Sequence, residues 1–269
     1  MDKLGKYVIK PFSKKRQNIA LLLDEGIKKH NIHGLIDVDV TDARIKLKKY
    51  KNEKGESISF TAWLVTCIAK SVSENIKLNT FRLGRRKTIT FNDIDIPIAV
   101  ERQYNNKSIT MAYIIRKANE KNVFEISKEI RKIQNEKLDG DSQILGQNLT
   151  KFEKIILKSP LFLKKLAIVL TRRNAIFRKK HMGTIGVTSI GMKGRFPGWA
   201  IPLSSATSSL IVVGGISKKP GIIDNEIKIR EYLNLTITVD HDIVDGGPLV
   251  RFVDRLIDLI EKSYGLDNI

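Results

Sequence analysis

The stretch Thr236-Ile237-Thr238-Val239-Asp240-His241-Asp242-Ile243-Val244-Asp245-Gly246-Gly247-Pro248 constrains the fold more than any other part of the chain. Leu233 to Val239 alternates apolar and β-branched residues with polar ones, the period of a strand. The chain then breaks at Asp245-Gly246-Gly247, and Pro248 to Lys262 reads as a final amphipathic helix with Pro in its first turn, where helices tolerate it. A strand that runs within a few residues into an amphipathic helix needs a sheet on one side and a helical layer on the other. His241 sits at the junction.

The rest of the chain repeats this alternation. Gln17 to Lys29 carries Ile19, Ala20, Leu22, Leu23 and Ile27 at helical spacing. Leu35 to Val40 reads as a strand, and Thr41 as the cap of the helix that follows it. Ser59 and Thr61 open a strongly apolar helix through Val72; Ile94 to Val100 and Ile109 to Ile115 read as strands; Asn122 to Lys137 is an amphipathic helix. Gly183 to Ile190, Leu210 to Ile216 and Glu226 to Ile229 are short strands separated by Gly, Pro and Asn turns. Together they predict one α/β domain over residues 1–269, a two-layer sandwich of a mixed sheet with helices packed on it.

One segment stands apart. Lys151 to Lys180 holds ten Lys or Arg residues and a single acid, Glu153, interleaved with Leu157, Leu161, Leu163, Leu166, Ile168, Val169 and Leu170. It reads as a basic helical insertion at about 151–180, split by Pro160, that either packs on its own domain or docks an anionic partner. The formal net charge of +19 points the same way, toward polyanions or phosphate-bearing ligands. Nucleic acid is not favoured, because no aromatic stacking motif or recognisable nucleic-acid module accompanies the charge. Cys67 is the single cysteine, set in an apolar run as a core thiol, so no intrachain disulfide can form. With no apolar leader near the N-terminus and no run of ~18 apolar residues, the expected location is cytoplasmic, with peripheral membrane attachment through the basic insertion as an option.

On residues alone, His241 has two chemical readings beside a structural one. It can move protons, or it can ligate a metal; His30, His33 and His181 are the remaining histidines, and no His/Cys cluster completes a metal site. No metal site is therefore expected.

LTITVDHDIVDGGPLVRFVDRLIDLIE resembles the HxxxDG active-site segment of the dihydrolipoyl acyltransferases, the catalytic domain of the 2-oxo acid dehydrogenase acyltransferase family, and at motif level it is similar to chloramphenicol acetyltransferase. Asp240, His241, Asp245, Gly246, Arg251 and Phe252 carry the pattern. The resemblance continues through PFSKKRQNIALLL, which places Arg16 at the family's opening-helix arginine, and through GTIGVTSIG, which places Thr188 at its hydroxyl turn. Asp242 stands where the family usually has arginine.

The resemblance implies a chloramphenicol acetyltransferase-like fold and an enzyme, a stand-alone acyltransferase without a lipoyl domain that moves an acyl group between a coenzyme A thioester and an acceptor. His241 would be the general base and Thr188 the oxyanion donor, with Ser189 as fallback. Asp245 would pair with Arg16 to hold the loop around the His, and Gly246 would ease the backbone there. Coenzyme A would be a substrate, with no cofactor bound permanently. The partners implied are a homotrimer with sites between subunits, acyl-CoA, and for the basic insertion an acidic carrier protein or an anionic membrane surface. Two other readings stay open: a lipoyl-linked core of a 2-oxo acid dehydrogenase complex, and a non-catalytic scaffold.

Overall fold

The computed structural model describes residues 5–84, 86–104, 107–136, 143–144, 147–148, 159–172, 174–191, 196–203 and 206–267. Four strands lie side by side in the order β1 (Asn31–Asp39), β10 (Glu226–Asp240), β9 (Ser209–Ile223) and β8 (Ile185–Ser189). β1, β10 and β9 are antiparallel neighbours, whereas β8 runs parallel to β9, so the sheet is mixed. The short strands read separately at 226–229 and 233–239 are one 15-residue strand with a bulge between Leu233 and Leu235. The polar Arg230-Glu231 step interrupts the apolar alternation without interrupting the ladder. Asp224 and Asn225 link β9 to β10 with φ of 54° and 63°, the two-residue hairpin geometry that Asn and Asp tolerate.

Among the described residues three antiparallel strand pairs stand outside that sheet: β2 (Thr80–Leu83) with β3 (Lys87–Thr90), β4 (Ile96–Tyr104) with β5 (Lys107–Ile115), and the two-residue ladder of β6 (Gln143–Ile144) and β7 (Gln147–Asn148). The second is tied to the start of β8, where the Thr184 and Ile185 amides donate to the Asp95 carbonyl.

One face of the sheet is covered by α3 (Phe60–Glu74), α4 (Val123–Asn135) and α7 (Gly246–Glu261). α3 is apolar on nearly every side because it lies innermost; Ala62 to Ala69 are all buried, Cys67 among them, and burial pushes the Cys67 thiol up. Ser59 caps α3, as the sequence predicts, and Asn122 with Glu125 closes a reciprocal cap on α4. The expected Thr41 cap is not formed. Thr41 is the first residue of α2 (Thr41–Lys54), and its hydroxyl donates to Asp39, which Arg230 also holds.

The other sheet face is crossed by residues 196–203. The Trp199 indole donates to the Ile36 carbonyl at 2.9 Å, and the strap's backbone rests directly on Gly214 and Gly215. A methyl group at position 215 would sit 2.0 Å from the Phe196 carbonyl oxygen. Gly215→Ala should therefore lift the strap and cost about 2–3 kcal/mol, the scale of overpacking a tight contact. Thermal melting checks this; an unchanged melt would mean the strap shifts freely.

The basic segment is only partly described: residues 151–158 and Arg173 lie outside the described residues. Within it, α5 (Leu161–Arg172) and α6 (Ala175–Met182) form two helices, with Pro160 immediately before the first. α5 packs on α1 (Lys14–Gly26) with its basic and apolar sides partly exchanged. Lys164 is buried against the Asn18 side chain at 2.9 Å, while Phe162 and Leu166 point to solvent. No helix among the described residues is long and apolar enough to cross a membrane.

Candidate active site

β10 ends at Asp240, and the chain turns at once. The amides of Ile243 and Val244 both donate to the Asp240 carbonyl at 3.0 Å, and the Asp242 amide donates to the Asp240 carboxylate at 3.2 Å. Val244 is buried and anchors the turn, leaving the His241 side chain 46% exposed at the sheet's end. The His241 amide donates to the His30 carbonyl at 2.7 Å, so the first residues before β1 hold the turn from the other side.

Asp245 forms the N-cap of α7 without using its carboxylate as the cap. That carboxylate is free to approach the His241 Nδ1, at 4.0 Å, and the Lys77 ammonium, at 3.4 Å. The expected Arg16–Asp245 pair is not formed within the chain. Arg16 is exposed on α1, whose packing partner is α5, and Lys77 from the turn after α3 faces Asp245 instead. Gly246 is not required sterically either: a Cβ there meets nothing within 4 Å, and its φ is not in the left-handed region.

Thr188 lies on β8, half-buried, on the sheet face opposite the helices; its neighbours Ile185 and Val187 face the core. Ser189 alternates to the other face from Thr188. Thr188 pairs with Val212, and Val212 with Thr236, five positions before His241. At ~3.3 Å per residue and ~4.8 Å between strands, Thr188 and His241 are about 19 Å apart within one chain. A single chain does not bring them together.

Several charged groups that the sequence analysis did not single out converge on the His241 end. His30 Nδ1 lies 2.8 Å from the Asp242 carboxylate, and this hydrogen bond raises the His30 pKa. Arg82, from β2, lies 3.5 Å from the other Asp242 oxygen. The Lys29 ammonium donates to the Thr207 carbonyl at 2.6 Å; burial, with Arg178 nearby, pulls it down to about 7, while Asp240 opposes the shift. Arg178 stacks over the Phe81 ring and is lowered to about 10, chiefly by burial. No spacing signal in the sequence links residues 29, 30, 77, 82 and 178 to 240–245; only the departure at Asp242 marked the spot. Among the described residues no group of three or more His, Cys, Asp or Glu side chains is placed to hold a metal ion.

An imidazole half-exposed at a strand end can take a proton from a bound substrate. The 2-oxoacid dehydrogenases acyltransferase (catalytic domain) family profile matches residues 6–145 and 167–266, leaving out 146–166, where the basic insertion begins. The chain is 24% identical over 267 residues to the dihydrolipoyllysine-residue acetyltransferase component of the Mycoplasma capricolum pyruvate dehydrogenase complex, covering 97% of this chain and 50% of that one. It is 25% identical over 238 residues to the lipoamide acyltransferase component of the Bacillus subtilis branched-chain alpha-keto acid dehydrogenase complex, covering 85% of this chain and 46% of that one. It thus spans about half the length of these relatives. In structure it is similar to a probable dihydrolipoamide acetyltransferase from Listeria monocytogenes, with TM-score 0.66, 22% identity, and coverage of 97% of this chain and 96% of that one. It is equally similar to the Azotobacter vinelandii dihydrolipoamide acetyltransferase, with TM-score 0.66, 16% identity, and coverage of 98% and 96%. The chain belongs to the 2-oxoacid dehydrogenase acyltransferase catalytic-domain family.

Proposed function

We propose that this chain transfers an acyl group between a coenzyme A thioester and an acceptor, with His241 as general base and Thr188 as oxyanion donor contributed by a neighbouring subunit of a homotrimer. The observation that carries the reading is the turn at the end of β10, which presents His241 half-exposed with Asp245 four residues on. A serine, a histidine and an asparagine are the residues whose role in the catalytic mechanism was investigated in the Azotobacter vinelandii relative, a set of the same kind as Thr188, His241 and Asp245. The separation of about 19 Å along and across the sheet supports a site shared between subunits, because an oxyanion donor must come within ~3 Å of the reacting oxygen.

In this mechanism the neutral imidazole takes the proton of the attacking acceptor as the new acyl bond forms. The Thr188 hydroxyl donates to the carbonyl oxygen as it gains charge, and collapse of the tetrahedral centre releases the thiolate. Lys77, Arg82 and Arg178 supply positive charge at the His241 end of the sheet, suited to the phosphates of coenzyme A. The outward Phe162 and Leu166 of α5 support a docking role for the basic segment, toward an anionic membrane or an acidic carrier protein.

The names of the relatives favour a second acceptor reading, dihydrolipoamide, in which the chain serves a lipoyl-bearing partner. One experiment tests both. A panel of acyl-CoA thioesters is offered with free dihydrolipoamide or with hydroxyl and amine acceptors, and acceptor-dependent release of the CoA thiol is followed. Release with dihydrolipoamide alone selects the lipoyl reading; release with another acceptor selects a stand-alone acyltransferase. No acceptor-dependent release from any thioester would overturn the function.

A further inference from the structure

We propose that His30 is a positioning residue for the His241 turn, gripping it through the main chain and, by way of Asp242, through its side chain. This rests on the reading of His241 as the base. Two contacts converge from one residue: the His30 carbonyl accepts from the His241 amide at 2.7 Å, and His30 Nδ1 meets Asp242 at 2.8 Å. Residues 241 and 242 are adjacent, so one side chain and its own carbonyl hold both sides of the peptide that aims the imidazole. Asp242 is also the position at which this chain departs from the resembled pattern, and His30 is the group the fold brings to it.

The charges around the pair are few and can be named. Asp242 itself faces His30, and Asp240 adds a further negative field from the end of β10. Arg82 holds the far oxygen of Asp242 from β2, and Lys29 precedes His30 in the chain. His241 and Lys77 both face the Asp245 carboxylate, three residues beyond Asp242. Removing the His30 side chain leaves Asp242 drawn to Arg82 alone, on one side, while the main-chain contact persists. The turn stays folded, and what changes is the aim of the imidazole. Misplacement of a catalytic group by a fraction of an ångström acts on turnover more than on binding.

The side-chain grip is strongest with His30 protonated, because a charged donor on a carboxylate outperforms a neutral one. Asp242 raises the His30 pKa, so the charged form persists above the ~6.5 of a free imidazole. The grip fades as pH climbs through that raised value. Turnover should therefore fall on the alkaline side, with His30 setting that fall.

The test uses the full chain, with turnover and KM measured across pH on the best thioester–acceptor pair, and with NMR titration of the histidine rings. His30→Ala should lower kcat about tenfold with KM little changed and should remove the alkaline fall. His30→Arg, which keeps a cation on Asp242 at all these pH values, should recover most of the kcat while also removing that fall. In the wild type the His30 ring should titrate above ~6.5, and in Asp242→Asn it should return there. A His30→Ala enzyme with wild-type kcat and an unchanged pH profile overturns the proposal, as does a His30 ring that titrates like a free imidazole in the wild type. If His241→Ala proves fully active, the reading of the base fails instead, and the ring titration still reports whether His30 grips Asp242.

Discussion

Replacing His241 by Ala is expected to reduce acyl transfer by about a thousandfold or more while leaving the fold intact. The ring projects 46% exposed from the end of β10, and its one described ionic neighbour, Asp245, is 4.0 Å away. What holds the turn is the main chain: the His241 amide on the His30 carbonyl, and the Ile243 and Val244 amides on Asp240. Alanine keeps all of these, and Val244 keeps its buried anchor. The substitution therefore removes the proton acceptor and little else, so melting should change by no more than a degree or two, as for surface changes of about 0.5 kcal/mol. Turnover and melting measured on the same preparation decide the matter. A variant within a few-fold of wild-type turnover would show that the proton goes elsewhere.

Thr188→Ala should lower kcat about a hundredfold with little change in KM, the pattern of a lost transition-state donor. Its more discriminating consequence appears in mixtures. The sheet register puts Thr188 about 19 Å from the His241 of its own chain, so the two would meet only across a subunit boundary. His241→Ala and Thr188→Ala chains, each nearly inactive, should regain activity when unfolded together and reassembled. Random assembly of a cyclic trimer would make about a quarter of the sites wild type in both groups, against none in either parent. Light scattering on the same sample would report the trimer. Activity equal to the sum of the two parents would mean that each chain supplies its own donor, and attention would pass to Ser189, on the opposite face of β8.

Much of this molecule could be read before it was folded. The strand ending at His241, the helix beginning beyond Asp245, the strongly apolar helix opened by Ser59 and the amphipathic helix from Asn122 were all legible, because each is decided within a few residues. Alternation places one face of a strand on the core, a cap satisfies the free amides of its own first turn, and a buried helix must be apolar around its whole circumference. The departure at Asp242 was visible too, though not its partner. What the tertiary structure decided is which distant residues meet. Lys77, rather than Arg16, faces Asp245 because α1 packs against α5, a choice between helices more than a hundred residues apart. His30 reaches Asp242 because β1 pairs with β10 in the register Asn31 to Asp240, and a slip of one residue would turn that side chain to the other face. Thr188 lies far from His241 in its own chain because β8 is parallel to β9 and two strands removed from β10. Local order follows from the few bonds a short segment makes with itself. Register and helix docking follow from the sum of many weak contacts over the whole core, which no single stretch of sequence contains.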